Sequence, residues 1–226
     1  MAINAPSLAN IPLTEFGEQL AQLYEGGIRF FHLDIMDGHY VKNLCLPVSA
    51  VRDIKEKYPD VTVEVHMMVD NPLEYVEQLE RYGAGYAAFH SDSTSFVRRT
   101  LTTLKSAAIQ AGVALNPSQR IDSIEPYAEM LDYCIFMSVE PGFAGQSFMP
   151  GAQKRLAELS KFRKEHGYRF QILVDGGVTN EIAEECVKNG ADILVTGIFV
   201  TFKQECGIVE ACKRFEERMR SVRPEI

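Results

Sequence analysis

The sequence predicts an α/β protein folded as one (β/α)8 TIM barrel. Three observations carry that expectation. Eight short apolar, β-prone runs alternate with eight amphipathic segments along the 226 residues. Polar side chains and glycines collect where those runs end: Ser7, Asp34, His66, His90, Asn116, Ser138, Asp175 and Gly197. No Ser/Gly-rich linker or low-complexity tract divides the chain, so residues 1–226 read as a single domain. An open doubly wound sheet would ordinarily carry a GxGxxG turn after its first strand, and none is present.

The expected strands are 2–8, 28–35, 61–68, 86–90, 112–116, 133–139, 170–176 and 192–197, each rich in β-branched, aromatic or alanine positions. The expected helices are 13–27, 48–58, 72–83, 96–112, 123–131, 151–167, 180–190 and 207–219. Several end in glycine, which tolerates the left-handed turn that stops a helix: Gly26, Gly83, Gly112, Gly167 and Gly190.

Composition narrows the class further. Hydrophobic residues make up 46% of the chain and the net charge is -8. That balance supplies a sizeable core. It offers no basic surface for nucleic acid or an anionic membrane. The five cysteines have no CxxC spacing, as expected of free thiols in a reducing compartment, with Cys134 and Cys186 packed on apolar faces. The N-terminal residues show no cationic start and no long apolar run. The expected location is therefore cytoplasmic.

In a barrel of this kind, chemistry sits at the C-terminal ends of the strands. His32 and Asp34 lie two apart, so on a strand both point to one face. His66 and Asp175 end two further strands. Two imidazoles and two carboxylates form a donor set for one divalent transition metal (zinc, ferrous iron, manganese or cobalt) rather than for magnesium or calcium. The same two carboxylates can pass a proton from one face of a substrate to the other. Glycine-bearing loops follow the last three strands: Gly142 and Gly145, then Gly176 and Gly177, then Gly197. Loops after strands seven and eight are a recurrent phosphate site. Met36, Met68 and Met137 also fall at strand ends, where soft sulfur excludes water. Asp37, His39 and Asp92 read as loop anchors on the same rim.

The motifs APSL, HLDIMDGHYVKN, EVHMMVDNP, GVALNP, SVEPGFAGQSF and LVDGGV together resemble the ribulose-phosphate 3-epimerase family over nearly the whole chain. The resemblance implies a barrel of the ribulose-phosphate-binding type and an isomerase that inverts carbon 3 of a ketose phosphate with one divalent metal. It implies His32, Asp34, His66 and Asp175 as metal ligands, with Asp34 and Asp175 as the acid/base pair. Ser7 and His66 would contact substrate. The loop Gly142, Phe143, Ala144 and Gly145, with Gly176, Gly177, Gly197 and Ile198, would hold the phosphate. Met36, Met68 and Met137 would cap the enediolate. The expected partners are a sugar phosphate and further copies of the chain.

Several positions depart from the family pattern: Lys42, Leu46-Pro47, Glu140, Ala144 and Ile198. Some of these resemble the allulose-6-phosphate 3-epimerase branch, whereas LVDGGV resembles the ribulose-phosphate branch. The expected substrate is D-ribulose 5-phosphate, with D-allulose 6-phosphate as the alternative. A barrel decarboxylase with a DxKxxD motif fits less well, because Met36 stands where its lysine would. A sugar-phosphate sensor without activity would not need the intact His32, Asp34, His66 and Asp175 set.

Overall fold

The structure, a computed structural model, describes residues 2–222. Eight parallel strands form a nearly closed barrel: β1 (Ile3–Pro6), β2 (Phe30–Met36), β3 (Thr62–Met68), β4 (Tyr86–His90), β5 (Gln110–Leu115), β6 (Tyr133–Met137), β7 (Gln171–Asp175) and β8 (Ile193–Thr196). From β2 to β8 each strand pairs with its neighbour in sequence, and β1 pairs with β8. A parallel bridge between Ser7 and His32 joins the β1 and β2 sides at the polar end of the barrel.

All eight expected strands are present, and the period of two explains what each face does. On β2, Phe31, Leu33 and Ile35 join the apolar layer between barrel and helices, whereas Phe30 points inward. On β6, Cys134 and Phe136 face the helices, whereas Tyr133, Ile135 and Met137 face the barrel interior. His32 and Asp34 share the parity of Phe30, and His66 shares that of Glu64. The polar set therefore stands inside the barrel and not under the helices.

The helices are α1 (Phe16–Glu25), α2 (Ser49–Lys57), α3 (Val76–Tyr82), α4 (Val97–Ser106), α5 (Ala152–Glu165), α6 (Asn180–Lys188) and α7 (Ile208–Arg220). On α7 the buried residues are Ile208, Ala211, Cys212, Phe215 and Met219, the stripe of a 3.6-residue period. Truncating Phe215 to alanine there would cost about 3–5 kcal/mol, the usual range for a buried aromatic. Thr179 caps α6 by accepting a hydrogen bond from the Ile182 N–H at 3.3 Å.

Three helix expectations need correction. Residues 121–130 form a 3-10 helix and not an α-helix. Pro126 sits inside it and has no N–H to donate to a preceding turn, which favours short, tight turns. Gly112 is not a helix cap. Strand β5 begins at Gln110, and Ala108 takes the left-handed turn with φ 56°. Gly112 instead leaves room for the Tyr133 ring, since a Cβ there would lie 2.5 Å from Cε1 of that ring. Likewise Gly26 is right-handed (φ -68°), and the left-handed residue is Gly27. Gly83, Gly167 and Gly190 do take the expected left-handed φ. All five cysteines are free, with Cys134 and Cys186 fully buried. Among the described residues, no helix is long and apolar enough to cross a membrane.

Candidate active site

At the strand C-termini the chain gathers His32, Asp34, His66 and Asp175. One donor atom from each lies within 4.8 Å of all the others. His32 Nε2 and His66 Nδ1 each lie 3.2 Å from Asp34 Oδ1. The same two nitrogens are 3.7 Å and 3.5 Å from Asp175 Oδ2. Both imidazoles are fully buried, and Asp34 is nearly so. Ser7 Oγ donates to Asp34 Oδ2 at 2.8 Å, which leaves Oδ1 to face the imidazoles.

The second nitrogen of each imidazole is braced from outside the cluster. His32 Nδ1 lies 2.5 Å from Glu64 Oε2, and the Tyr133 hydroxyl donates to Glu64 Oε1 at 2.7 Å. His66 Nε2 lies 2.9 Å from His90 Nε2. Each ring therefore has one occupied nitrogen and one aimed at the carboxylates, the arrangement typical of metal-ligating histidine. Two nitrogens, two carboxylate oxygens and a braced outer layer fit one divalent transition metal.

Charge follows from this geometry. Burial pushes His32 and His66 down, but the carboxylates outweigh it. His32 is raised well above its ordinary value, and His66 to about 9. Burial pushes Asp34 up, but the two imidazoles overcome it and hold the carboxyl below the usual range. His90 behaves oppositely. Burial first, then the neighbouring His66 charge, holds it well below its ordinary value.

Above the cluster opens a cleft whose empty space, open solvent included, is about 640 Å³. Every other residue expected at the site lines it: Ser7, Met36, Met68, Met137, Gly142, Phe143, Ala144, Gly145, Gly176, Gly177, Gly197 and Ile198, with Asp34 and Asp175 at its floor. His32 and His66 lie buried beneath. Asp37 is a loop anchor as expected, its carboxylate accepting from the N–H groups of His39, Tyr40 and Asp70.

The far end of the cleft is formed by the turn after β8 and the Gly176-Gly177 loop. Val200, Thr201 and Phe202 all direct their N–H groups to the Gly197 carbonyl. The first N–H groups of that turn, on Ile198 and Phe199, have no partner within it, as at a helix N-terminus. Gly177 (φ 61°) packs against the loop after β6 so closely that a Cβ would lie 2.2 Å from the Phe148 nitrogen. Backbone thus approaches backbone where side chains would not fit.

Several residues of the site were not singled out by sequence. Asn10, at the end of a short 3-10 helix, and Gln146 and Phe199, in loops, line the cleft where no periodicity marks them. Gln146 donates to the Glu140 and Phe143 carbonyls at 2.7 and 2.9 Å and so ties its own loop together. Glu64 did carry a signal: a charge inside an apolar run, two residues before His66 and on its face.

Comparison with known proteins agrees with this geometry. The family model described as "Ribulose-phosphate 3 epimerase family" matches residues 3–201. The chain belongs to the ribulose-phosphate 3-epimerase family. It is 36% identical to a ribulose-phosphate 3-epimerase of Methanocaldococcus jannaschii, covering 87% of this chain and 84% of that one. It is 32% identical to a ribulose-phosphate 3-epimerase of Bacillus subtilis, covering 85% and 89%. Identity to the chloroplastic ribulose-5-phosphate-3-epimerase of Arabidopsis thaliana is 36%, covering 86% and 70%. The fold also matches the crystal structure of KGPDC from Streptococcus mutans, with a TM-score of 0.72 at 12% identity, covering 98% of this chain and 99% of that one. At that identity the likeness speaks of fold alone.

Proposed function

We propose that the chain is a metal-dependent ketose-phosphate 3-epimerase that interconverts D-ribulose 5-phosphate and D-xylulose 5-phosphate. The observation that carries this reading is the pairing of Asp34 and Asp175 across one buried pair of imidazoles, on the floor of a cleft lined by the glycine-bearing loops after β6, β7 and β8. The relatives named ribulose-phosphate 3-epimerase support the choice of sugar.

The substrate phosphate lies against the turn after β8 and the Gly176-Gly177 loop, held by backbone N–H groups. That anchor sets carbon 3 between the two aspartates. One carboxylate takes the carbon-3 proton. The electron pair of the C–H bond moves toward the carbon-2 carbonyl, giving an enediolate. The other aspartate, protonated, delivers its proton to the opposite face of carbon 3. His32, Asp34, His66 and Asp175 would hold the metal, which supplies Lewis-acid stabilisation of charge on the enediolate oxygens. Met36, Met68 and Met137 keep water from the carbanion-like centre with an uncharged, polarizable surface. Ser7 fixes the Asp34 carboxylate by hydrogen bonding to its far oxygen.

A panel of ketopentose and ketohexose phosphates tests the reading through kcat/KM for each. The expected ranking places D-ribulose 5-phosphate first. A preference of ~10-fold or more for D-allulose 6-phosphate would move the substrate to the hexulose while keeping the chemistry.

A further inference from the structure

We propose that His90 is a positioning residue for His66, and that it works through Asn116 to Asp92 as a one-way hydrogen-bond chain. The inference rests on the metal-dependent reading above and deepens it.

The direction of the chain follows from donor and acceptor chemistry. His66 turns Nδ1 toward the two aspartates and Nε2 toward His90 Nε2, 2.9 Å away. A ligand nitrogen at Nδ1 needs its lone pair, so the ring proton sits on Nε2. His90 Nε2 must then accept it, which leaves the His90 proton on Nδ1. That Nδ1 is fully buried and has no hydrogen-bond partner of good geometry; the same is true of Asn116 Oδ1. Asn116 is the hydrogen-bonding side chain beside His90. Its orientation is fixed from the other side. Asp92 can only accept, and Asn116 Nδ2 lies 3.0 Å from Asp92 Oδ2 and 2.8 Å from the Tyr40 hydroxyl. The amide oxygen is therefore the atom left for His90.

Tyr40 completes the unit. Its hydroxyl donates to Asp92 Oδ1 at 2.8 Å, and its ring lies 4.7 Å from the His90 ring, centroid to centroid. Every N–H and O–H in the chain thus points outward from His66 to one exposed carboxylate. The chain fixes the His66 tautomer and makes its inner nitrogen a better donor. It also carries negative charge at the end opposite the metal-binding cluster.

Cobalt(II) affinity, measured by chelator competition on the full chain, tests the proposal, with the visible cobalt spectrum as a second readout. His90→Phe keeps a planar ring but removes the acceptor. It is expected to weaken cobalt binding about 10- to 100-fold and shift the spectrum, whereas His90→Gln, whose amide oxygen accepts, stays within about threefold of wild type. A His90→Phe protein with wild-type affinity and spectrum would overturn the proposal. If that variant does not fold, Asp92→Asn decides. Loss of the terminal charge at an exposed position is expected to weaken binding about threefold or more, and unchanged affinity would overturn the proposal. A wild-type chain that bound no cobalt would sink the metal-dependent reading and this inference with it. Tight binding by wild type and variants alike would sink this inference alone.

Discussion

Asp34 and Asp175 leave strands separated by β1 and β8, yet both face the same two imidazole nitrogens. Asp34 Oδ1 stands 3.2 Å from His32 Nε2 and His66 Nδ1, and Asp175 Oδ2 stands 3.7 and 3.5 Å from them. In the proposed mechanism this pairing sets one carboxylate on each side of the substrate. Asp34→Asn and Asp175→Asn are each expected to lower kcat by more than ~100-fold, the scale of a general acid/base contribution. The two need not fail alike. One can still exchange the carbon-3 proton on its own face without inverting it. Near-wild-type turnover in either variant, measured with metal content matched, would refute a two-base scheme.

Metal uptake should depend steeply on pH. The folded, metal-free chain holds His66 up to about 9 and His32 well above its ordinary value, because their carboxylate partners outweigh burial. Both are therefore protonated at neutral pH, and a metal must displace those protons. Affinity is expected to fall as pH drops below about 9. Chelator competition across pH 6 to 10, where the titration falls, checks the slope. Affinity independent of pH would contradict it. Chelation at fixed pH should abolish turnover, and added divalent metal should restore it.

Gly177→Ala probes the proposed phosphate end of the cleft. The new Cβ would sit 2.2 Å from the Phe148 nitrogen at a positive φ, so both loops must shift. Backbone strain of this kind costs about 1–3 kcal/mol, and the phosphate anchor moves with it. The expected result is a raised KM for the phosphorylated ketose together with a lower melting temperature. An unchanged KM would remove Gly177 from the phosphate site.

Tyr133→Phe probes the brace inside the barrel. Its hydroxyl donates to buried Glu64 at 2.7 Å, and Glu64 in turn holds His32. Removing a partner from a buried polar group costs about 1–3 kcal/mol. Denaturant unfolding should show that loss, and metal affinity should fall as His32 loosens. A variant as stable as wild type would mean that Glu64 does not depend on this hydrogen bond.

The barrel was legible in the sequence because strand periodicity and strand-end polarity are local signals. His32 and Asp34 share a face by their spacing, and His66 and Asp175 follow apolar runs that could only be strands. What local pattern could not supply was contact between strands. Gly112 looked like a helix end because its reason for being glycine is the Tyr133 ring on the neighbouring strand. Residues 121–130 carried helix-like amphipathicity, yet Pro126 drew them into 3-10 turns. His90 was visible as a strand-end histidine, but its bond to His66 needs β3 beside β4 in the observed register. Asn10 ends a three-residue 3-10 helix and Phe199 sits in a loop, both too short for either period to show.

The most direct test is turnover of D-ribulose 5-phosphate by the metal-loaded chain in deuterium oxide, followed by proton NMR at carbon 3. Two-base transfer through an enediolate predicts that D-xylulose 5-phosphate forms with solvent deuterium at carbon 3, and that Asp34→Asn and Asp175→Asn form none at a comparable rate. Product that retains its original carbon-3 hydrogen, or no product from any ketose phosphate, would contradict it.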